Sequence, residues 1–410
     1  MSKTKVIIAG CGIAGPVLAI FLKGKGYEPV VYERLEKPTE QGLSMCLQPN
    51  GLRVLSLIPG FCAKIVGLQL KNLFFCSSLS EDEGLLAETD APSMLPELVG
   101  PGMCVLGVHR ATFCRTLVEE AESHGVQIVW GHQVVGLTQS EDSVELAFAN
   151  GKTDTASFVV GCDGLHSNTR ISLFGEEKAD FTGLTQTGGS SPTPKAYLNR
   201  PGVTNIYGNG AHMVFYQVNE KQTSWAVTLQ EPEAKETWRA MDEERQREFR
   251  ESRFNKWGFG GGELVSNAKT IVKYGLYDRP ELKTWHKDRV VLLGDAAHPT
   301  SPHLGQGANQ AFEDIYHLVR LLAKHNPSGE APSTSLLSTI FTEFEQRRIP
   351  RTSALVKGAR QQGENRVLHG VPACKKRNDA IREMYMDGST LADSYKQAYS
   401  EPFEQGKSEI

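Results

Sequence analysis

The sequence predicts an α/β fold, a Rossmann-type parallel-sheet domain carrying an inserted domain built on an antiparallel sheet. Three observations predict it. A β-branched run at residues 5–9 leads into a glycine loop and then a helical segment. Two further apolar runs, at 158–161 and 289–294, each break into a glycine turn that carries an aspartate. Between about 180 and 280 the period changes, and residues 211–218 and 223–229 read as the strands of an antiparallel hairpin.

Composition sets the frame. The chain has 410 residues, roughly 2.7 times a typical ~150-residue domain, so one large and one smaller domain are expected. With 40% hydrophobic and 22% charged residues it reads as globular, neither disordered nor fibrous. A net charge of −4 provides no basic footprint for nucleic acid or anionic lipid. Eight cysteines form no CxxC pair and are read as reduced, mostly buried thiols, with no metal site. The N-terminus carries no signal peptide, and no stretch reaches the ~18–20 apolar residues of a membrane span, so a cytoplasmic protein is expected.

The first unit is Lys5-Val6-Ile7-Ile8-Ala9, then Gly10-Cys11-Gly12-Ile13-Ala14-Gly15, then a helix to about Lys25 with Pro16 in its first turn. Gly26 ends that helix, and residues 28–32 return as a second strand that stops at Glu33, 18 residues after Gly15. This is the strand–GxGxxG–helix–strand–acid order of a dinucleotide site. Gly10 permits the turn, Gly12 lets the backbone approach a pyrophosphate, and Gly15 lets helix pack on strand. The helix N-terminus offers N–H donors to the phosphates. The motif alone leaves NAD and FAD open.

Later segments follow the same logic. Phe158-Val159-Val160-Gly161 breaks into Cys162-Asp163-Gly164-Leu165-His166, and Val290-Val291-Leu292-Leu293 delivers Gly294-Asp295. Ligands of open α/β sheets bind at the carboxyl edge of the strands, so both acids point to one crevice. A second glycine loop, Pro302-His303-Leu304-Gly305-Gln306-Gly307-Ala308, opens a helix predicted over about 310–324. Residues 211–218 and 223–229 predict a hairpin, with His212, Val214 and Tyr216 on one face and Met213, Phe215 and Gln217 on the other. Residues 231–255 read as charged and helical, 257–262 as a glycine-rich lid or linker, and the Lys375-Lys376-Arg377 run as a solvated face.

GCGIAG with Glu33, GCDGLHSNTR, and GDAAHPTSPHLGQGANQAFED together resemble the class A, single-component FAD-dependent aromatic hydroxylases of the para-hydroxybenzoate hydroxylase fold. The likeness is strong over about 4–60, 104–175 and 285–350. It implies a discontinuous FAD-binding domain at 1–75, 101–180 and 281–362. A substrate domain would occupy 76–100 and 181–280, with a helical tail at 363–410. It implies that Gly10, Gly12, Ala14 and Gly15 hold the ADP part of FAD, Glu33 its ribose, and Arg34 the adenosine part or NADPH. Arg110 would reach FAD, Asp163 would handle FAD and NADPH, and Asp295 would contact the ribityl chain. Pro302 would sit beside the flavin ring, with Gly305, Gly307 and Ala308 laying N–H groups against its pyrimidine. His212 and Tyr216 would line the substrate pocket. One departure stands out: relatives often carry a small residue where this chain has Leu43, in Gly42-Leu43-Ser44 before Pro49-Asn50-Gly51, and the bulk there is expected to alter flavin movement.

The implied activity is a monooxygenase using NADPH or NADH, O2 and FAD, through a C4a-hydroperoxyflavin. One oxygen atom would enter an aromatic or conjugated small molecule, by hydroxylation or epoxidation, in secondary metabolism. A monomer or homodimer is expected. A reductase of the same fold and a non-enzymatic flavin-binding protein stay open. A halogenase is disfavoured because no Trp-x-Trp-x-Ile-Pro run occurs. Plainer roles stay open too: Asp295 as a helix cap, His298 as a packed loop histidine, His303 as an exposed loop residue, and Arg110 as a surface arginine.

Overall fold

The computed structural model describes residues 3–39, 42–233, 240–386, 388–403 and 407–410. Its first layer is a six-stranded sheet. In spatial order its strands are His286–Lys287, Val290–Leu292, Phe158–Gly161, Lys5–Ala9, Glu28–Tyr32 and Gln127–Val129. All pair in parallel except the His286–Lys287 edge. Val6, Ile7, Ile8, Val159 and Val160 are fully buried, as expected where helices cover both faces of a parallel sheet. Helix Ala14–Gly24 packs between helices Gly307–His325 and Arg110–Ser123. Register places the carboxyl ends together: Ala9 pairs Gly161, and Gly161 pairs Leu292. The loops at 10, 162 and 293 therefore leave from one edge.

The second layer is a seven-stranded sheet, with strands in the order Ile271–Asp278, Asp180–Pro192, Gln222–Gln230, Ala211–Gln217, Gly202–Tyr207, Asn72–Ser77 and Gly84–Thr89. The predicted hairpin is its centre. Met213, Phe215, Trp225 and Val227 point to the back, where they meet Leu264 and Val265 in one apolar cluster. The other face carries His212, Val214 and Tyr216. Smaller three-stranded sheets are formed by Val134–Gln139, Val144–Phe148 and Thr153–Ala156, and by Ser44–Leu47, Val105–His109 and Gly67–Leu70. A division at residue 75 passes through the strand Asn72–Ser77, and one at 362 through the 33-residue helix Thr334–Arg366.

Several local expectations are corrected. The helix after the second glycine loop starts at Gly307, three residues earlier than read, and runs to His325. In the charged 231–255 region only Glu243–Arg250 is α-helical, with a 3-10 turn at Arg253–Lys256, while 234–239 lie outside the described residues. The 257–262 stretch is no lid. It leads into helix Gly261–Ser266, and Leu264 and Val265 are fully buried behind the large sheet. A Cβ at Gly262 would lie 2.2 Å from the Asn255 carbonyl oxygen, so the glycine serves close packing. Arg377 is buried under its neighbours, and only Lys375 and Lys376 face solvent. Of the cysteines, Cys11, Cys76 and Cys374 are buried, four are half-buried and Cys62 is exposed.

Candidate functional site

Gly10, Gly12 and Gly15 each do a different job. Gly10 has φ +104°, and a Cβ there would sit 2.5 Å from the Cys162 carbonyl oxygen. A Cβ at Gly15 would collide with the Gly10 carbonyl. At Gly12 a Cβ would meet nothing within 4 Å, so the backbone there borders open space. Helix Ala14–Gly24 starts directly behind this loop with no side-chain cap, and Ala14 is its first residue. Its leading N–H groups therefore receive no capping side chain from Ile13. Glu33 Oε2 accepts from the Cys11 N–H at 2.8 Å and Oε1 from the Leu35 N–H at 3.0 Å, which fixes the carboxylate beside the glycines.

Gly10, Gly12 and Glu33 line one cleft of about 260 Å³, together with Arg34, Arg110, Asp163 and Gly164. Trp130, His132 and Asn168 also line it, and sequence reasoning missed them. The apolar run from Val126 to Trp130, just after Gly125, was the available signal for Trp130 and His132. Asp163 turns its carboxylate inward: Oδ1 accepts from Ser167 Oγ at 2.5 Å, and Oδ2 from the Thr169 N–H and Oγ1, each at 3.0 Å. Burial pushes that carboxyl up from its ordinary value, although these donors oppose the shift. The side chain shapes the loop.

Asp295, Pro302, Gly305, Gly307 and Ala308 do not line this cleft but follow from the same sheet edge. Asp295 and Pro302 are exposed. A Cβ at Gly307 would lie 3.9 Å from Asp295 Oδ1, so loop and helix start face each other. Gly305 has φ +63°, and Gln48 Nε2 donates to the carbonyls of Leu304 and Gly305, each at 3.1 Å. Asn309 Nδ2 donates to Gly305 O at 2.9 Å and to Cys46 O at 3.1 Å. The loop is thereby clamped to the strand Ser44–Leu47.

Beneath the loop lies a buried polar network that sequence reasoning did not assemble, although Glu313 and Asp314 stand in the run it singled out. Asp314 Oδ2 accepts from the Gly294 N–H at 3.0 Å and pairs with His298 Nε2 at 2.6 Å. Arg348 reaches Asp314 Oδ1 at 2.6 Å and Glu313 Oε2 at 2.7 Å, while Asn50 and Arg351 complete Glu313. Burial alone would raise the Asp314 carboxyl, but His298 and Arg348 bring it down to about 2. His298, its ring 4.9 Å from that of Trp285, is thus a packed loop histidine. His303 is buried, not exposed.

One face of the large sheet carries a second set of buried polar side chains. His212 pairs across strands with Tyr207 and Thr228, and Gln186 pairs with Thr228 and Tyr274, so these side chains share a face. Tyr274 Oη donates to Gln186 Oε1 at 2.8 Å. Ser44 Oγ donates to Tyr216 Oη at 2.8 Å, tying this face to the Ser44–Leu47 strand. Burial, with Cys46 adding to it, holds the Tyr216 phenol well above its ordinary range. Leu43 packs into the same seam, and a Cβ at Gly188 would come 2.7 Å from its Cδ1.

An open glycine loop, an uncapped helix start and a fixed carboxylate fit the pyrophosphate and ribose of a dinucleotide. Comparison with known proteins agrees. The model of the FAD binding domain family matches residues 3–359. The 3-amino-4-hydroxybenzoate 2-monooxygenase of Streptomyces cremeus is 29% identical over 381 residues, covering 92% of this chain and 91% of that protein. The 3-hydroxybenzoate 6-hydroxylase of Klebsiella oxytoca is 27% identical over 399 residues, 96% of this chain and 94% of that protein. The solved structure of Klebsiella pneumoniae HpxO complexed with FAD and uric acid shares the fold, with TM-score 0.83, 21% identity, and 97% and 96% of the two chains covered.

Proposed function

The chain belongs to the FAD binding domain family and is an FAD-dependent monooxygenase, and from that premise we propose that it hydroxylates a small hydroxylated aromatic compound. The observation that supports the substrate class is the polar and aromatic face of the large sheet. That face carries buried tyrosine, glutamine, threonine and histidine side chains, and Arg366 joins Asn205 on it to His303 of the 302–307 loop. Aromatic rings with a few placed hydrogen-bonding groups suit a phenolic ring better than an aliphatic chain.

Residue roles follow as part of the same reading. Gly10, Gly12 and the start of helix Ala14–Gly24, packed through Gly15, hold the pyrophosphate. Glu33 accepts from ribose hydroxyls, with Arg34 and Arg110 completing the cleft. Asp163 shapes its loop, and Asp295, Pro302, Gly305, Gly307 and Ala308 frame the flavin end. When bound, FAD supplies the redox chemistry that passes electrons from NADPH or NADH to O2 and an oxygen atom to the substrate. The protein positions the ring and excludes water. Tyr216 keeps its phenolic proton at neutral pH, so its Oη stays an uncharged hydrogen-bonding group toward the substrate. The parallel-sheet part is the FAD domain, the seven-stranded sheet the substrate domain. The enzyme works in the cytoplasm as a monomer or homodimer, in secondary metabolism.

The absorption spectrum of the purified protein, followed by NAD(P)H and O2 consumption across a panel of phenols, tests this. A yellow protein whose NAD(P)H oxidation is stimulated by a phenol that gains one oxygen atom is the expected result. A protein that cannot be reconstituted with FAD would overturn it.

A further inference from the structure

A second cleft, of about 280 Å³, shares no lining residue with the cleft beside the glycine loop. Its walls are the middle of the helix Thr334–Arg366, the segment that follows the strand Ile271–Asp278, and the turn at Ala297 and His298. Pro280, Leu282, Trp285, Ala297 and Val356 make much of that lining apolar. Six charged residues adjoin them in opposite sets, Arg279, Lys357 and Arg360 against Asp180, Asp278 and Glu281. Arg360 grips the Asp278 carboxylate with two nitrogens, and Lys357 Nζ lies 3.9 Å from Glu281 Oε2. Arg279 donates to the carbonyl oxygens of Leu165 and Glu177. A balanced rim around apolar walls favours a neutral guest, because an ion would lose hydration there and meet no net opposite charge.

His298 brings the cleft a polar atom that the fold leaves unused. The residue is 9% exposed, and its Nε2 pairs with Asp314 Oδ2 at 2.6 Å, pointing into the protein. Its Nδ1 has no hydrogen-bond partner among the described residues, yet it is not one of the unpartnered atoms sealed from the surface. A hydroxyl suits that nitrogen in either protonation state: it donates to the bare nitrogen of the neutral ring and accepts from the protonated one. An ether oxygen can only accept. Asp314 also accepts from the Gly294 N–H at 3.0 Å, so whatever bonds to His298 joins the network that supports the turn carrying Asp295.

We propose that this cleft is a second small-molecule site that takes an uncharged phenol, its ring against Leu282, Trp285 and Val356 and its hydroxyl on His298 Nδ1. The site goes beyond the monooxygenase reading and does not depend on which substrate that reaction takes. A cleft of this volume, largely apolar and with one placed polar group, suits a single aromatic ring.

The test uses the FAD-loaded enzyme labelled with fluorotryptophan, its Trp285 and Trp130 fluorine NMR signals assigned with W285F and W130F. Phenol, anisole and benzoate are titrated in turn. Phenol is expected to shift the Trp285 signal saturably, anisole to bind about fivefold more weakly for want of the hydroxyl hydrogen, and benzoate to leave the signal unmoved. V356F and S353F, which fill the cleft, should each abolish the phenol shift. FAD content and the Trp130 signal, which reports on the glycine cleft, should stay as in the wild type. The comparison of phenol with anisole needs no filling variant, so it decides even if neither folds. No saturable shift with phenol, equal binding of phenol and anisole, binding of benzoate at the Trp285 signal, or a shift that persists in a folded filling variant overturns the site.

Discussion

A Cβ placed on Gly15 would lie 2.0 Å from the carbonyl oxygen of Gly10, so the first helix rests directly on the turn it follows. Gly15→Ala must push helix from strand, and overpacking of this kind costs about 1–3 kcal/mol. Gly12→Ala meets open space and should leave the apoprotein's stability unchanged while obstructing the pyrophosphate. Thermal unfolding of both apoproteins, with FAD titration alongside, separates the two. Gly15→Ala should lower Tm, and Gly12→Ala should weaken FAD about tenfold at constant Tm. Equal loss of stability in both would contradict the division of labour among these glycines.

Arg348 holds two carboxylates together beneath the loop that starts at Gly294. Glu313 and Asp314 are fully buried, and Arg348 supplies both with a charge. Removing one partner of such a cluster leaves buried charge uncompensated and costs about 3–5 kcal/mol. Because Asp314 also receives the Gly294 N–H, Arg348→Met should loosen the loop that carries Asp295 as well. Urea unfolding should show the stability loss, and FAD should dissociate at lower denaturant than in the wild type.

Stability should also fall at acid pH in a way traceable to Asp314. Its carboxyl titrates at about 2 when folded, below the ordinary value of 3.8, so the folded state favours the ionised form. A depressed folded value contributes stability above the unfolded pKa and loses it as pH falls through the folded one. The window is therefore about pH 4 down to 2, and the contribution at neutral pH is roughly 2 kcal/mol. Asp314→Asn should be less stable at pH 7 and show a shallower acid limb between those values, measured by urea midpoints at successive pH.

What could be read from the sequence was local. Gly10 and Gly15 announce themselves because each answers to a neighbour within a few residues or across one strand. The hairpin at 211–230 announces itself because alternation is a property of consecutive residues. Partners far apart in the chain were hidden. Glu313 and Asp314 stand in a run singled out early, yet Arg348, 35 and 34 residues on, returns only through helix packing. Arg377 sits in a basic run that reads as solvated, and nothing in that run says that Tyr207 will lie beneath it. The glycines of 257–262 signalled looseness, whereas at Gly262 the missing side chain admits a close backbone contact.

Tyr216 offers the most direct test of the substrate wall. Its hydroxyl accepts from Ser44 Oγ at 2.8 Å, which joins the large sheet to the Ser44–Leu47 strand. Since burial keeps the phenol protonated across the working range, in the proposed function Tyr216 meets a substrate as a neutral hydrogen-bonding group. Tyr216→Phe keeps the ring and removes that group, together with the Ser44 contact. One lost hydrogen bond of about 1 kcal/mol corresponds to roughly a fivefold fall in kcat/KM. FAD content should be unaffected, because Tyr216 does not line the glycine cleft. Steady-state kinetics with an accepted phenol, run beside a flavin absorption spectrum, decides the matter. An unchanged kcat/KM would mean that Tyr216 serves the seam between sheet and strand and does not face the substrate.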